Sequence, residues 1–162
     1  MKTLKSLKTL LTILTVLTLA AQADDNKVAR VIYSEASPIC SSFERYLVAS
    51  VIKNRINHPG FSNGKFKTML DVVNQKNAFE CIDHDKNTNW RESKYIRKGD
   101  SQVYDHAIRL SQGDFKPEPG VHFFLSRGTF VPNNMVHPKY WRIIKVGSTK
   151  NFDFYSIIAR QI

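Results

Sequence analysis

The feature of this sequence that most constrains its fold is a change of hydrophobic period near Gly120. Before it, apolar residues recur at the three-and-four spacing of helices; after it they are β-branched or aromatic and fall in short runs. The strongest helical segment follows Ser41-Ser42-Phe43-Glu44, a capping-box spacing in which hydroxyl and carboxylate each satisfy the other residue's backbone N–H. Phe43, Leu47, Val48, Val51, Ile52 and Ile56 then make one broad apolar stripe, and His58-Pro59-Gly60 ends it. This predicts a central core helix reaching Asn57, about four turns long. An earlier helix is expected from Asp24 to Glu35, with Val28, Val31 and Ile32 inward and the acids Asp24 and Asp25 at its positive end. Pro38 stops it, so Glu35 falls at or just past the last turn, where unpaired carbonyls concentrate negative charge. Shorter helices are expected over Thr68 to Asn74 and Ser101 to Gln112, the latter closed by Gly113. Residues 82–100 are polar and without a period, and read as a surface excursion.

Past Gly120, Val121 to Leu125, Tyr140 to Val146 and Phe152 to Ile158 read as strands, separated by turn-rich Pro132-Asn133-Asn134 and Gly147-Ser148. Helices first and a small antiparallel sheet last define an α+β fold: a helical N-terminal part around a central helix, with the sheet at the C-terminus.

The first 23 residues belong to a different problem. Lys2, Lys5 and Lys8, the apolar run Leu10 to Ala21, and Ala21-Gln22-Ala23 form the pattern of a cleaved secretory signal peptide. The run is about a dozen residues, short of the roughly 20 that span a bilayer, so no stable membrane anchor is expected after cleavage. Residues 24–162 then form one domain, exported to the periplasm or the outside. The formal charge of +10 in the 162-residue chain falls to +7 without the three signal lysines, which still favours an anionic partner. Export points to an envelope polymer rather than nucleic acid, although basic residues interspersed with acids are also the ordinary content of a solvated surface.

Cys40 and Cys81 both lie beyond the cleavage point, and an even pair in an oxidising compartment predicts a disulfide. Closing a loop of about 40 residues would stabilise the fold by on the order of 3–4 kcal/mol. The five histidines are dispersed and no paired metal-ligand spacing occurs, so neither metal nor other cofactor is expected; Asp83-His84-Asp85 reads as a solvated turn.

The order of segments resembles the cell-wall hydrolase family that includes the spore cortex-lytic transglycosylases. The residues that carry the resemblance are Ala29-Arg30-Val31-Ile32-Tyr33-Ser34-Glu35-Ala36 and Val48-Ala49-Ser50-Val51-Ile52-Lys53-Asn54-Arg55-Ile56. Gln75 and Phe79, Ala107 with Gly113, His122-Phe123-Phe124, and Phe152-Asp153-Phe154-Tyr155 follow in order. The family's first helix commonly closes on a Gly-Glu-Ala-Arg-Gly-Glu-like motif; here the chain reads Ser34-Glu35-Ala36-Ser37-Pro38-Ile39, keeping the first glutamate and lacking the arginine and the second. The resemblance implies a lysozyme-like domain that cleaves the bond between N-acetylmuramic acid and N-acetylglucosamine, with Glu35 matching the catalytic glutamate.

The chemistry agrees. Glycoside cleavage needs a carboxylic acid still protonated near neutral pH, and a helix C-terminus and an apolar cleft both favour that state. Candidate substrate contacts are Asn54 and Arg55 on the central helix, Gln75 and Phe79 on a cleft wall, and His122, Phe123 and Tyr155 from the sheet. Each also has a plain structural reading: hydrogen bonding to backbone, ion pairing, or core packing. Glu80 is available as a second carboxyl. Two other functions stay open: a secreted cysteine amidase or peptidase using Cys40 or Cys81, and a non-catalytic peptidoglycan-binding module, motivated by the two acid- and base-bearing positions missing after Glu35.

Overall fold

The computed structural model describes residues 27–83, 87–131 and 139–160; the signal segment, His84-Asp85 and the Pro132-Asn133-Asn134 turn lie outside them. Among the described residues, six α-helices and a 3-10 turn at Ser62–Gly64 precede three strands, so the α+β order read from the periodicity holds. The first helix, α1, covers residues 27–35 and is followed by α2, Ser42–Asn54. Short helices α3, Met69–Val73, α4, Glu80–Asp83, and α5, Thr88–Ser93, lead to α6, Gln102–Ser111.

The central helix is set by its caps and by burial on two sides. Ser41 and Glu44 form the expected capping box: the Glu44 N–H donates to Ser41 Oγ at 3.1 Å and the Ser41 N–H to Glu44 Oε2 at 2.9 Å. Ala49 and Ile52 enter a cluster with Val31, Ile32, Val72, Val73 and Tyr104, while Leu47, Val48 and Val51 enter another with Val121, Phe152 and Phe154. The helix thus joins the helical layer to the sheet. It ends at Asn54, three residues before the predicted Asn57. The Arg55 and Ile56 N–H groups close tight turns onto Ile52 and Lys53, and Asn57 has φ 56°, in the left-handed region that terminates helices.

The excursion after Cys81 contains an element that periodicity missed. Asn87 caps α5 through the Trp90 N–H at 2.9 Å, and Arg30 of α1 clamps it. The Arg30 guanidinium lies 3.9 Å from the Trp90 ring centroid, donates to the Trp90 carbonyl at 3.1 Å, and donates to buried Ser93 Oγ at 2.9 Å. A helix this short presents too few turns for a hydrophobic stripe; one long-range cation holds it in place.

The strands are β1, Phe123–Ser126, β2, Trp141–Ser148, and β3, Phe152–Ala159, in antiparallel order β1-β3-β2. β3 lies in the middle and is buried continuously from Phe152 to Ile157, so it lacks the alternation of a half-exposed strand. A bulge between Lys145 and Gly147 breaks the β2–β3 register. Asp153 fixes that end of the sheet: Lys145 Nζ pairs with its carboxylate at 2.7 Å and Ser148 Oγ donates to it at 2.6 Å.

The expected disulfide is absent. Cys40 packs in the cluster shared by α2 and the sheet, whereas Cys81 packs in the helical cluster, and no bond joins them. The apolar surroundings that make both thiols good core residues also seat them on different sides of α2.

Candidate active site

Glu35 is the last residue of α1, as the Pro38 stop implied, and is partly buried. The chain turns immediately, the Ala36 N–H bonding back to the Ile32 carbonyl at 3.1 Å. Across from it, α4 presents a backbone donor: the Cys81 N–H lies 3.0 Å from Glu35 Oε1. Burial raises the Glu35 pKa above the ordinary carboxylate value and is the largest influence; hydrogen bonds from the Cys81 N–H and thiol pull it down. Glu80 adds to the rise and Arg55 opposes it, so the net displacement is upward. The carboxyl therefore keeps its proton to higher pH than a solvated glutamate does.

Arg55 caps the C-terminus of α2 and is 5% exposed. Three rings enclose its guanidinium, with centroids at 4.8 Å for Phe61, 5.0 Å for Phe123 and 5.4 Å for Phe79, and its Nε donates to the His122 carbonyl at 2.9 Å. Burial lowers its pKa to about 10, against the attraction of the Glu35 carboxylate. It remains a cation at neutral pH, one that acts on Glu35 through its field.

Four expected site residues, Arg55, Phe79, His122 and Phe123, therefore share one cluster, but as packed groups. Phe79, His122 and Phe123 are buried, and Tyr155 is buried beside Phe123, its register partner on β3. Pleat alternation does not free one face of β3, because helices cover one side and the 58–61 turn the other. Asn54 is spent on backbone, donating to the Glu118 carbonyl at 2.7 Å and the Val121 carbonyl at 2.9 Å. It ties the entry to β1 onto α2. Gln75 is exposed in the turn between α3 and α4.

The sequence reading missed His58, which the turn brings against His122 with ring centroids 4.4 Å apart, and Trp141, 5.6 Å from His58. The Ile157 N–H donates to His122 Nδ1 at 3.3 Å, and burial, His58 and Arg55 together lower the His122 pKa to about 4. Both imidazoles are neutral near pH 7, since burial lowers His58 as well. In the sequence, His58 marks only a helix end; its partner lies 64 positions away and no periodicity links them.

Burial pushes the Cys40 thiol up, away from the thiolate, and its polar contact is the Asn151 amide at 3.6 Å. Cys81 serves Glu35 instead. Among the described residues, no group of three or more histidine, cysteine or acidic side chains is placed to hold a metal ion.

The site is thus a desolvated carboxyl at a helix end, backed by a buried cation and aromatic rings, in an α+β domain. The chain belongs to the cell wall hydrolase family, whose model matches residues 41–155. Its fold is similar to that in the crystal structure of the catalytic domain of the Bacillus cereus SleB protein, with a TM-score of 0.55 and 17% sequence identity over 82% of this chain and 89% of that one. No curated protein gave a significant match. The family match takes in Arg55, Phe79, His122 and Tyr155 and starts six residues after Glu35, so the case for Glu35 rests on its geometry.

Proposed function

We propose that this protein is an exported enzyme that cleaves peptidoglycan glycan strands, with Glu35 as its general acid and base. The observation that carries the reading is the desolvated Glu35 carboxyl at the end of α1, its proton retained by burial while the Cys81 N–H fixes its orientation. The protonated carboxyl gives its proton to the oxygen linking N-acetylmuramic acid to N-acetylglucosamine as that bond breaks. Positive charge develops at the muramic C1, and the new Glu35 carboxylate, stabilised by the Arg55 field, takes the proton of the same sugar's 6-hydroxyl. The 6-oxygen closes on C1, leaving a 1,6-anhydro end and a regenerated acid. This lytic transglycosylase route needs one carboxyl. A muramidase route would need a second one to activate water, and Glu80, exposed at the start of α4, is the group near enough to influence Glu35.

In this scheme Arg55 is a positioning residue. Enclosed by three rings and bonded to backbone, it has no free face for a sugar. Digestion of purified peptidoglycan, with mass analysis of the fragments, tests the proposal. Glu35→Gln should slow muropeptide release by about 100-fold or more. Fragments lacking one water relative to hydrolytic products identify the transglycosylase route. Wall clearing at near full rate by Glu35→Gln would exclude Glu35, and sacculus binding without released fragments would mark a non-catalytic wall-binding module.

A further inference from the structure

A second polar site lies at the N-terminal end of α2, the opposite end from Arg55. A hollow of about 610 Å³ opens between the N-terminus of α2 and α6, lined by Ser42 and Arg45 of the first and Gln102, Val103, Asp105, His106 and Arg109 of the second. It does not include Glu35. Arg45 is 6% exposed, with one guanidinium nitrogen donating to the Cys40 carbonyl at 2.6 Å, while its buried Nε has no partner. His106 Nδ1, in the same wall, is also buried without a partner. Arg45 and His106 thus each line the hollow while keeping a nitrogen that the protein leaves without a partner, and exposed Arg109 adds a second guanidinium to the same wall.

The charges point the same way. Burial, Arg45 and Arg109 all depress proton binding by His106, which registers a positive field inside the hollow. Asp105 is the acid in the lining, and its Oδ1 is engaged by the Gly99 N–H at 2.8 Å. Glu44, next to Arg45 in sequence, is turned to the other side, where it accepts from Ser41 and Asn151. Neither carboxylate is shown neutralising the two guanidiniums. A planar guanidinium with an imidazole beside it suits an oxyanion, and a carboxylate or a phosphate presents the same acceptor pair.

We propose that this hollow binds an oxyanion group, a carboxylate of the wall peptide or a phosphate. The site stands on Arg45, His106 and Arg109 alone; a wall-derived occupant rests on the peptidoglycan reading above.

Titration of the secreted protein, followed by the His106 side-chain resonances, tests this with two probes: a muramyl dipeptide bearing free carboxylates, and inorganic phosphate. Saturable shifts of His106 with either probe support the site, and the tighter probe names the source of the anion. The dipeptide with its carboxyls amidated should give no shift. Arg109→Gln, an exposed change that spares the core, should weaken binding by about fivefold. The absence of a shift with both probes, or the same affinity in Arg109→Gln, overturns the proposal. Because Glu35→Gln leaves the hollow intact, a binding result on that variant is independent of whether Glu35 is the catalytic acid.

Discussion

At Glu35, burial and hydrogen bonding pull in opposite directions, and burial prevails. A carboxyl with a raised pKa in the folded state costs stability once pH exceeds the unfolded-state value, because folding must then keep a proton the open chain would release. Glu35→Gln should therefore be more stable than the parent, with the gain growing as pH rises from about 4 toward neutrality; melting curves across that range check it. Arg55 supplies the complementary test. Its charge lowers the Glu35 pKa, so Arg55→Met should move the alkaline limb of kcat/KM to higher pH, whereas Arg55→Lys should leave the limb near its original position. Arg55→Met also leaves the His122 carbonyl without its donor, at a cost of about 1–3 kcal/mol. A stability loss with no movement of the pH limb would reduce Arg55 to a packing residue.

The N-terminus of α2 is where an element depends on one side chain. Glu44 closes the capping box and also accepts from the Asn151 N–H and amide at 3.1 Å, pinning the helix to the turn between β2 and β3. Burial alone would raise its pKa, but hydrogen bonds from Ser41, Thr149 and Asn151 outweigh that and hold it at about 2. The sign is that of a depressed acid: the contribution is complete above about pH 4.5 and disappears as pH falls toward 2. Glu44→Gln should lose on the order of 1–3 kcal/mol at neutral pH, and the difference from the parent should shrink below about pH 4.5 and vanish near pH 2 in acid denaturation. Ser41-Ser42-Phe43-Glu44 made the cap legible in the sequence. The tie to Asn151 was not, because it crosses 107 positions and depends on the β2–β3 turn being in place.

For the molecule as a whole, stability rests on two layers packed against α2 rather than on a covalent staple. Cys40 and Cys81 sit in separate clusters, both buried. Thiol titration without reductant should find almost no reaction in the native protein and two thiols per chain after denaturation; their absence in the denatured chain would indicate a bond formed elsewhere on the folding route. The same two-layer arrangement explains why α+β was readable while the site was readable only in part. Periodicity reports which face of each segment is apolar, and the α-then-β order follows directly. It does not report which apolar residues meet. Phe123 and Tyr155, equally suited to a groove or a core, went to the core because β3 is covered on both faces.

Local chemistry in the chain was enough to determine the helix boundaries near Ser41, Thr68 and Ser101, the placement of Glu35 where α1 stops, and the segregation of helix from sheet, since each depends on neighbours within a few residues. Tertiary structure decided the electrostatics. The Cys81 N–H on Glu35, the three rings around Arg55 and the contact of His58 with His122 join residues separated by 6 to 68 positions. Desolvation, the largest influence on the proton at Glu35, exists only once those segments have packed.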